Sequence, residues 1–204
     1  MGPIDRHKLL RLFDNHQPHA VAQQIGSLAN AMNLLIPQGK EGIPAAVLIP
    51  IIDRQDGLNI LLTERTKHLS AHPGQISFPG GRLEAVDNNA VDAALRESRE
   101  EVGLQEISVL GEIGTYSSYS GYDITAILGL VHPPFDFSIN TDEVESVIEV
   151  PLQVALDLNQ YKLENIVRDG ERRHFYTFHY EDKPIWGFTG SLLYILASWL
   201  KANL

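Results

Sequence analysis

Apolar residues along this chain fall into short runs that predict a series of β-strands. Each run is bounded by Gly, Pro, Asn, Asp or charged residues, as the ends of strands usually are. Pro50 lies near the end of the first run and leaves the end of that strand open. The predicted strands span 43–52, 58–65, 107–116, 124–131, 146–150, 161–167, 173–180 and 184–186.

Helical periodicity and loop signals account for most of the remaining chain. The predicted helices span 5–13, 18–31, 90–102 and 189–200. Clusters of Pro, Gly and polar residues predict mostly loop over 66–81, 117–123 and 132–145. Strands interleaved with few helices predict an α/β fold in which a mixed sheet lies between helical layers. We expect the apolar last helix to cap the sheet, residues 1–40 to form a helical extension packing on the core, and 41–204 to form one domain.

The helix predicted over 90–102 carries a concentrated arc of negative charge. At about 100° per residue, Glu97, Glu100 and Glu101 share one arc beside an apolar arc. Like charges at i,i+4, such as Glu97 and Glu101, oppose each other by about 0.2–0.5 kcal/mol. An acidic face of this kind is most often solvated surface. The alternative is a bound divalent cation, which would make the same arrangement favourable.

The surroundings of this helix favour the cation. Arg96 can pair with Glu100 at i,i+4 and hold that carboxylate in place. The preceding turn F-P-G-G ends in Gly80 and Gly81, and glycine lets a backbone approach a ligand closely because it has no Cβ. Ligands that are all oxygen suit magnesium or manganese. The sequence therefore predicts a Mg²⁺ or Mn²⁺ site on this helix.

The segment 81–104, with its run R-E-x-x-E-E-x-G, resembles the Nudix box of the Nudix hydrolases. These enzymes cleave nucleoside diphosphates linked to another group. The chain departs from the usual box in three ways. The spacing from Gly81 to Arg96 is one residue longer, Asp87 replaces the first glutamate, and Ser98 stands at an aliphatic position. The longer spacing and the aspartate are features of the coenzyme A diphosphatase branch.

An upstream motif is similar to the additional motif of that same branch. It consists of L-L-T-x-R at 61–65, Leu69, and H-x-G-Q-I-x-F-P-G-G at 72–81. The resemblance implies an α/β/α sandwich and metal-dependent hydrolysis of coenzyme A to 4′-phosphopantetheine and adenosine 3′,5′-bisphosphate. Two alternatives stay open. One is a Nudix hydrolase of ADP-ribose or a dinucleotide cofactor, and the other is a non-catalytic Nudix-fold binding module, which the complete set of glutamates disfavours.

The resemblance implies a metal-binding or catalytic role for each box residue. The glutamates Glu97, Glu100 and Glu101 would hold Mg²⁺ or Mn²⁺, together with the carbonyl of Gly81. Arg96 would orient the glutamates rather than bind the substrate. The ion would neutralise the charge of the diphosphate and activate the attacking water.

The general base has more than one candidate. In the family it is either a box glutamate or an acid from a later loop. Here the later acids are Glu143 and Glu145. Solubility of the loop explains each of these two residues equally well.

Four residues in or beside the motifs are candidates for binding the substrate. They are Arg65, His72, Gln75 and Arg82. His72 and Gln75 could instead fix their loop against the sheet, and the two arginines could be ordinary surface charge. Three tyrosines could stack on adenine or simply pack at strand ends: Tyr116, Tyr119 and Tyr122.

Charge and composition narrow the kinds of partner. A net charge of −10 argues against broad binding to nucleic acid, and it requires local cations to hold an anionic substrate. Without cysteine the chain has no disulfide and no thiolate ligand or nucleophile. No apolar run suits a membrane span or a signal peptide, so we expect a cytoplasmic enzyme without a membrane partner. Family precedent and the apolar last helix suggest a homodimer.

Overall fold

The computed structural model describes residues 4–15, 18–31, 42–69, 71–118, 120–168 and 170–203. Its helices are α1 (Arg6–Asn15), α2 (Pro18–Ala31), α3 (Ala90–Val102), α4 (Leu152–Ala155) and α5 (Gly187–Asn203). Its strands are β1 (Ile43–Arg54), β2 (Gly57–Arg65), β3 (Ile76–Ser77), β4 (Gly80–Arg82), β5 (Ile107–Ser117), β6 (Tyr122–Val131), β7 (Val144–Pro151), β8 (Tyr161–Arg168), β9 (Glu171–Tyr180) and β10 (Lys183–Ile185). Tyr119, one of the tyrosines considered for stacking, lies outside the described residues.

A seven-stranded sheet forms the centre, in the order β3-β2-β1-β6-β5, with β4 paired to β1 and β7 paired to β2. The sheet is mixed, as predicted, because β1 runs parallel to β6 and antiparallel to β2 and β4. Strand β1 continues through Pro50 to Arg54, beyond its predicted end. Pro50 lies between residues 45–47, which pair with β4, and 51–54, which pair with β2. Pro50 therefore lies where neither antiparallel neighbour requires an N–H donor, the group that proline lacks.

Helical layers cover both faces of this sheet. Successive side chains of a strand point to opposite faces. Leu48 accordingly packs in a cluster with Ala94 and Val102 of α3, whereas Ile49 packs in the cluster that contains the apolar faces of α1, α2 and α5. The predicted α/β/α sandwich is confirmed.

The N-terminal helices contribute directly to the larger of these two clusters. Leu9 of α1 and Ile25 of α2 are fully buried there with side chains of the sheet. Helices α1 and α2 thus pack on the core. Residue 41, where the predicted domain begins, lies outside the described residues, so that boundary stays a prediction.

The last three strands differ from the prediction of one sheet. Strands β8, β9 and β10 form a separate antiparallel sheet. Helix α5 packs against β9, where a Cβ on Gly190 would clash with the Tyr176 carbonyl oxygen. It therefore covers this second sheet as well as joining the main core. No described helix, apolar α5 included, is long and apolar enough to cross a membrane.

Several short elements were not predicted. Strands β3 and β4 lie in the segment assigned to loop, α4 follows β7, and Trp186 lies outside β10. Strands of two or three residues are too short to show a hydrophobic period. Their positions depend on the neighbouring strands with which they pair.

Candidate active site

Helix α3 has the predicted bounds because local residues stop it at both ends. The Asn89 side chain caps the N-terminus by accepting a hydrogen bond of 3.0 Å from the Asp92 N–H. Gly103 ends the helix in the left-handed region, at φ 75°, and its N–H donates to the Arg99 carbonyl. Both signals are local in sequence. The acidic arc is thereby placed on a helix of defined length.

Arg96 is the centre of a hydrogen-bond network at this helix. Its guanidinium donates to both carboxylate oxygens of Asp87, at 3.0 and 2.9 Å. It also donates to Glu97 at 2.9 Å, to Glu100 at 3.1 Å and to the Arg82 carbonyl at 3.0 Å. Hydrogen bonding to Asp87 raises the pKa of Arg96 and lowers that of Asp87. The pairing of Arg96 with Glu100 is as predicted, and the network orients two of the three glutamates.

The bond between Asp87 and Arg96 was missed from the sequence. Asp87 was recognised only as a departure from the usual box. The separation of nine positions does not correspond to a helical neighbour spacing, and Asp87 precedes the helix. An acid just before a helix that carries an arginine is a weak signal of such a bond.

Glu101 is the most buried acid of the arc, with a residue exposure of 3%. Burial, with smaller contributions from the charges of Glu97 and Glu143, raises the pKa of its carboxyl group to about 8. Arg65, whose Nη1 lies 4.0 Å from a Glu101 oxygen, opposes this increase, as does a hydrogen bond from the Gly80 N–H. The positive charge supplied by the protein is therefore too small to hold this carboxylate ionised at neutral pH.

Glu97 shares this environment, and Glu100 does not. Burial raises the pKa of Glu97, and its bond to Arg96 opposes the rise. The Glu100 side chain is 58% exposed and accepts a hydrogen bond from Arg96. Among the described residues, no three acidic or histidine side chains converge as ready ligands of one ion. The donors nevertheless suit a hard divalent cation, because they are carboxylate oxygens and the buried Glu101 has little compensating charge nearby.

The two glycines before α3 meet different neighbours. A Cβ on Gly80 would clash with the Ala46 carbonyl oxygen and crowd Val47 in β1, and one on Gly81 would clash with the Glu97 carboxylate. Neither position has room for a side chain. Gly80 therefore lets β4 pack on β1, and Gly81 lets the carboxylate lie against the backbone.

The register of β4 shows where the backbone of these glycines points. The Leu48 N–H donates to the Pro79 carbonyl, and the Leu83 N–H donates to the Pro44 carbonyl. Gly81 pairs with Ala46, two residues away from each of these hydrogen-bonded pairs. Hydrogen-bonded and non-hydrogen-bonded pairs alternate along an antiparallel ladder, so the N–H and C=O of Gly81 point towards β1. The Gly80 N–H donates to Glu101, so the Gly80 carbonyl faces the acids. A backbone ligand from Gly81 stays a prediction, and Gly80 has the better-directed oxygen.

The upstream motif folds into one compact turn next to Glu101. The Arg65 N–H donates to the Gln75 carbonyl at 2.9 Å, and the Gly74 N–H donates to the Arg65 carbonyl at 3.1 Å. His72, in the left-handed region at φ 56°, bonds through Nδ1 to the Gln75 side chain at 2.8 Å. His72 is exposed. From the sequence, these residues are separate candidates for binding the substrate. The structure brings three of them, Arg65, His72 and Gln75, into one hydrogen-bonded turn.

Arg65 has unused hydrogen-bonding capacity at this position. Its side chain is 23% exposed, and its Nε is buried without a hydrogen-bond partner among the described residues. A buried donor of this kind is unusual in folded proteins. The Nε of Arg65 is therefore a donor that the described residues leave unused, and the Nη1 of the same guanidinium lies beside Glu101.

The two candidate base residues differ in their surroundings. Glu143 lies close enough to the arc to raise the pKa values of Glu97 and Glu101, and its carbonyl accepts from the Thr66 N–H. Glu145 is exposed on β7. Only Glu143 of the pair is brought to the acidic arc.

Arg82 lies outside the arc, on the other side of Gly81. Its Nε and Nη2 donate to the Tyr122 hydroxyl, at 3.1 and 2.5 Å, and its guanidinium lies 5.2 Å from the centre of that ring. No carboxylate within the described ranges pairs with it. Tyr116 is buried and donates to the Ile113 carbonyl, so it packs and does not stack on a ligand.

Comparison with known proteins identifies the family of this chain. A NUDIX domain model matches residues 42–168. The uncharacterized Nudix hydrolase NudL of Yersinia pestis (strain Pestoides F) is 42% identical over 155 residues, which cover 75% of this chain and 77% of that protein. The protein of the same name from Yersinia pseudotuberculosis serotype O:1b has the same identity and coverage.

Solved structures with a similar fold have low sequence identity. A MutT/nudix family protein from Enterococcus faecalis gives a TM-score of 0.48 at 16% identity, covering 96% of this chain and 74% of that one. The Ap4A hydrolase of C. elegans gives 0.47 at 18% identity, covering 53% and 80%. The family model and the relatives decide the assignment. The chain belongs to the Nudix hydrolases, enzymes that cleave phosphoric anhydrides in substrates built on a nucleoside diphosphate.

Proposed function

We propose that this Nudix hydrolase cleaves the diphosphate of coenzyme A or a coenzyme A derivative. The products would be 4′-phosphopantetheine and adenosine 3′,5′-bisphosphate. The observation that supports this choice is the turn formed by the upstream motif. It sets the Nη1 of Arg65 4.0 Å from a Glu101 oxygen, and the Nε of Arg65 has no hydrogen-bond partner among the described residues. The motif that resembles the coenzyme A branch is thus part of the same site as the acidic arc.

The residues of the arc would hold Mg²⁺ or Mn²⁺ through Glu97, Glu100 and Glu101, with a backbone carbonyl from Gly80 or Gly81. When bound, the ion would neutralise charge on the diphosphate and lower the pKa of the attacking water. Arg96 keeps Glu97 and Glu100 oriented through the bonds described above.

Arg65 would meet the diphosphate oxygens, because a guanidinium binds such oxygens in pairs. Water would attack one phosphorus atom, and the bond from that phosphorus to the bridging oxygen would break. The proton of the water would pass to a carboxylate. We assign this role to Glu143 in preference to Glu145, because Glu143 lies at the arc and Glu145 is exposed.

The 3′-phosphate of coenzyme A calls for a second cation. A chain with a net charge of −10 should repel this dianionic group unless fixed donors meet it. Arg82 is exposed and has no carboxylate partner in the described part of the chain. Arg65 is engaged at the arc, so Arg82 is the better candidate for this phosphate.

Hydrolysis of a panel of nucleotides tests the proposal. Coenzyme A, dephospho-coenzyme A, ADP-ribose and a dinucleotide cofactor would be compared with Mg²⁺ and with Mn²⁺. We expect kcat/KM to be highest for coenzyme A, lower for its dephospho form, and lowest for substrates without a pantetheine arm. Equal or faster cleavage of ADP-ribose would reject the coenzyme A assignment and leave the Nudix chemistry intact. Arg82→Gln should narrow the difference between coenzyme A and its dephospho form.

Mutation of the two later acids tests the assignment of the base. Glu143→Gln should lower kcat by about 10²–10⁴-fold, as loss of a general base does. Glu145→Gln is the matched control and should retain nearly full activity. A strong effect at Glu145 with none at Glu143 would reverse the assignment. The homodimer and the cytoplasmic location stay predictions, and sedimentation analysis would test the first.

A further inference from the structure

Lys183 ties the second sheet to the strand that carries Arg65. Its ammonium donates to the Glu64 carboxylate at 2.6 Å and to the Ser146 hydroxyl at 3.5 Å. The Ser146 hydroxyl also donates to Glu64, at 2.9 Å. Glu64 occupies the open position x of the motif L-L-T-x-R, immediately before Arg65. Lys183 belongs to β10, beyond the residues 42–168 that match the family model.

The backbone changes register at this point. Glu64 pairs with Ser146, but Arg65 pairs with Val144, so Glu145 is the extra residue of a β-bulge. Bulges redirect side chains and often lie beside active sites. The bulge lies in β7, so the contact from Lys183 holds the last regular rung of β2 before the pairing opposite Arg65 becomes irregular.

The two neighbouring side chains point to opposite faces of the sheet. Glu64 faces the second sheet and Lys183, whereas Arg65 faces α3 and Glu101. The Lys183 and Glu64 side chains are 39% and 19% exposed, so the pair is partly shielded from water. A fixed contact on one face can thus set the position of the guanidinium on the other.

We propose that Lys183 is a positioning residue of the active site, which acts through Glu64 to place Arg65. This rests on the role given to Arg65 in the proposed function. It assigns a part in catalysis to the β9–β10 hairpin, which lies outside the matched Nudix domain. The residues touched by Lys183 are not ligands of substrate or metal, so its effect should depend on Arg65.

A double-mutant cycle between Lys183→Met and Arg65→Lys tests this dependence. The substrate is whichever nucleotide of the panel is cleaved fastest, so failure of coenzyme A as substrate would not affect the result. We expect Lys183→Met to lower kcat/KM about tenfold, less than the ~10²-fold that a misplacement of 1 Å can cost. In the double variant the two losses should not multiply. Lys162→Met is the matched control, because its side chain is 80% exposed on β8, and it should leave kcat/KM unchanged.

The double variant Glu64→Lys/Lys183→Glu, in which the two charges of the ion pair are exchanged, distinguishes a positioning role of Lys183 from a general effect on stability. We expect it to restore most of the kcat/KM lost in Lys183→Met. Losses that multiply in the cycle would overturn the proposal, and so would wild-type kinetics in Arg65→Lys. If Lys183→Met does not fold, Glu64→Gln replaces it in the cycle with the same expectation.

Discussion

Replacing Glu101 with glutamine should stabilise the metal-free protein while it removes activity. Glu101 is 3% exposed, and burial raises the pKa of its carboxyl group from 4.5 to about 8. Between these pH values the folded chain binds a proton that the unfolded chain has lost. The free energy of unfolding therefore falls as the pH rises through this window, and the full cost applies above pH 8.

The size of this cost follows from the difference in pKa. Each pKa unit corresponds to about 1.4 kcal/mol, so ionising Glu101 in the folded, metal-free chain costs about 5 kcal/mol. For a chain of this length 1 kcal/mol corresponds to roughly 2–4 °C in Tm. Glu101→Gln has no carboxylate to ionise. Its Tm should exceed that of the wild type by roughly 10–20 °C at pH 8, and by little below pH 4.5.

Thermal unfolding in excess chelator, recorded from pH 4.5 to 8.5, measures this difference. Glu106→Gln, an exposed position after α3, is the control and should follow the wild-type curve. Saturating Mg²⁺ should raise the wild-type Tm at pH 8 by binding the folded state, with a much smaller effect on Glu101→Gln. Turnover of the variant should fall by more than the ~10–100-fold that outer partners of a metal site cost. Parallel pH curves for Glu101→Gln and the wild type in chelator would refute the reasoning.

Three further predictions concern the glycine pair, the motif loop and the N-terminal helices. Gly81→Ala should abolish most hydrolysis with little change in Tm, because its Cβ meets the Glu97 carboxylate. Gly80→Ala should lower the free energy of unfolding by about 1–3 kcal/mol, because its Cβ meets the backbone of β1. Rates and melting curves that are alike in the two variants would contradict this prediction. His72→Ala should raise KM severalfold with Tm unchanged, since His72 is exposed, and a lower Tm with weaker binding of every nucleotide would indicate a structural role instead. Deleting residues 1–40 should prevent folding, because α1 and α2 bury apolar side chains in the shared core; a truncated chain with the wild-type circular dichroism and Tm would show that the extension is dispensable.

The features that the sequence determined are those set by neighbouring residues. The bounds of α3 depend on Asn89 and Gly103, which cap the helix from adjacent positions. The acidic arc follows from helical spacing alone, and so does the pairing of Arg96 with Glu100. The resemblance to the Nudix hydrolases was carried by two motifs that each span a short stretch of the chain. Each of these properties depends on short separations along the chain, where the geometry is known before the chain folds.

The tertiary structure decided which distant groups meet. The order of strands in the main sheet depends on pairing between segments far apart, such as β1 with β6 and β2 with β7, which hydrophobic periodicity does not encode. The position of Arg65 beside Glu101 depends on how β2 pairs in the sheet and on how α3 packs over that sheet, and both contacts join segments far apart in the sequence. The raised pKa of Glu101 requires burial, and burial depends on every element that packs around α3. The sequence identifies the charged groups. Only the folded chain determines how much water and how much opposite charge surrounds each of them.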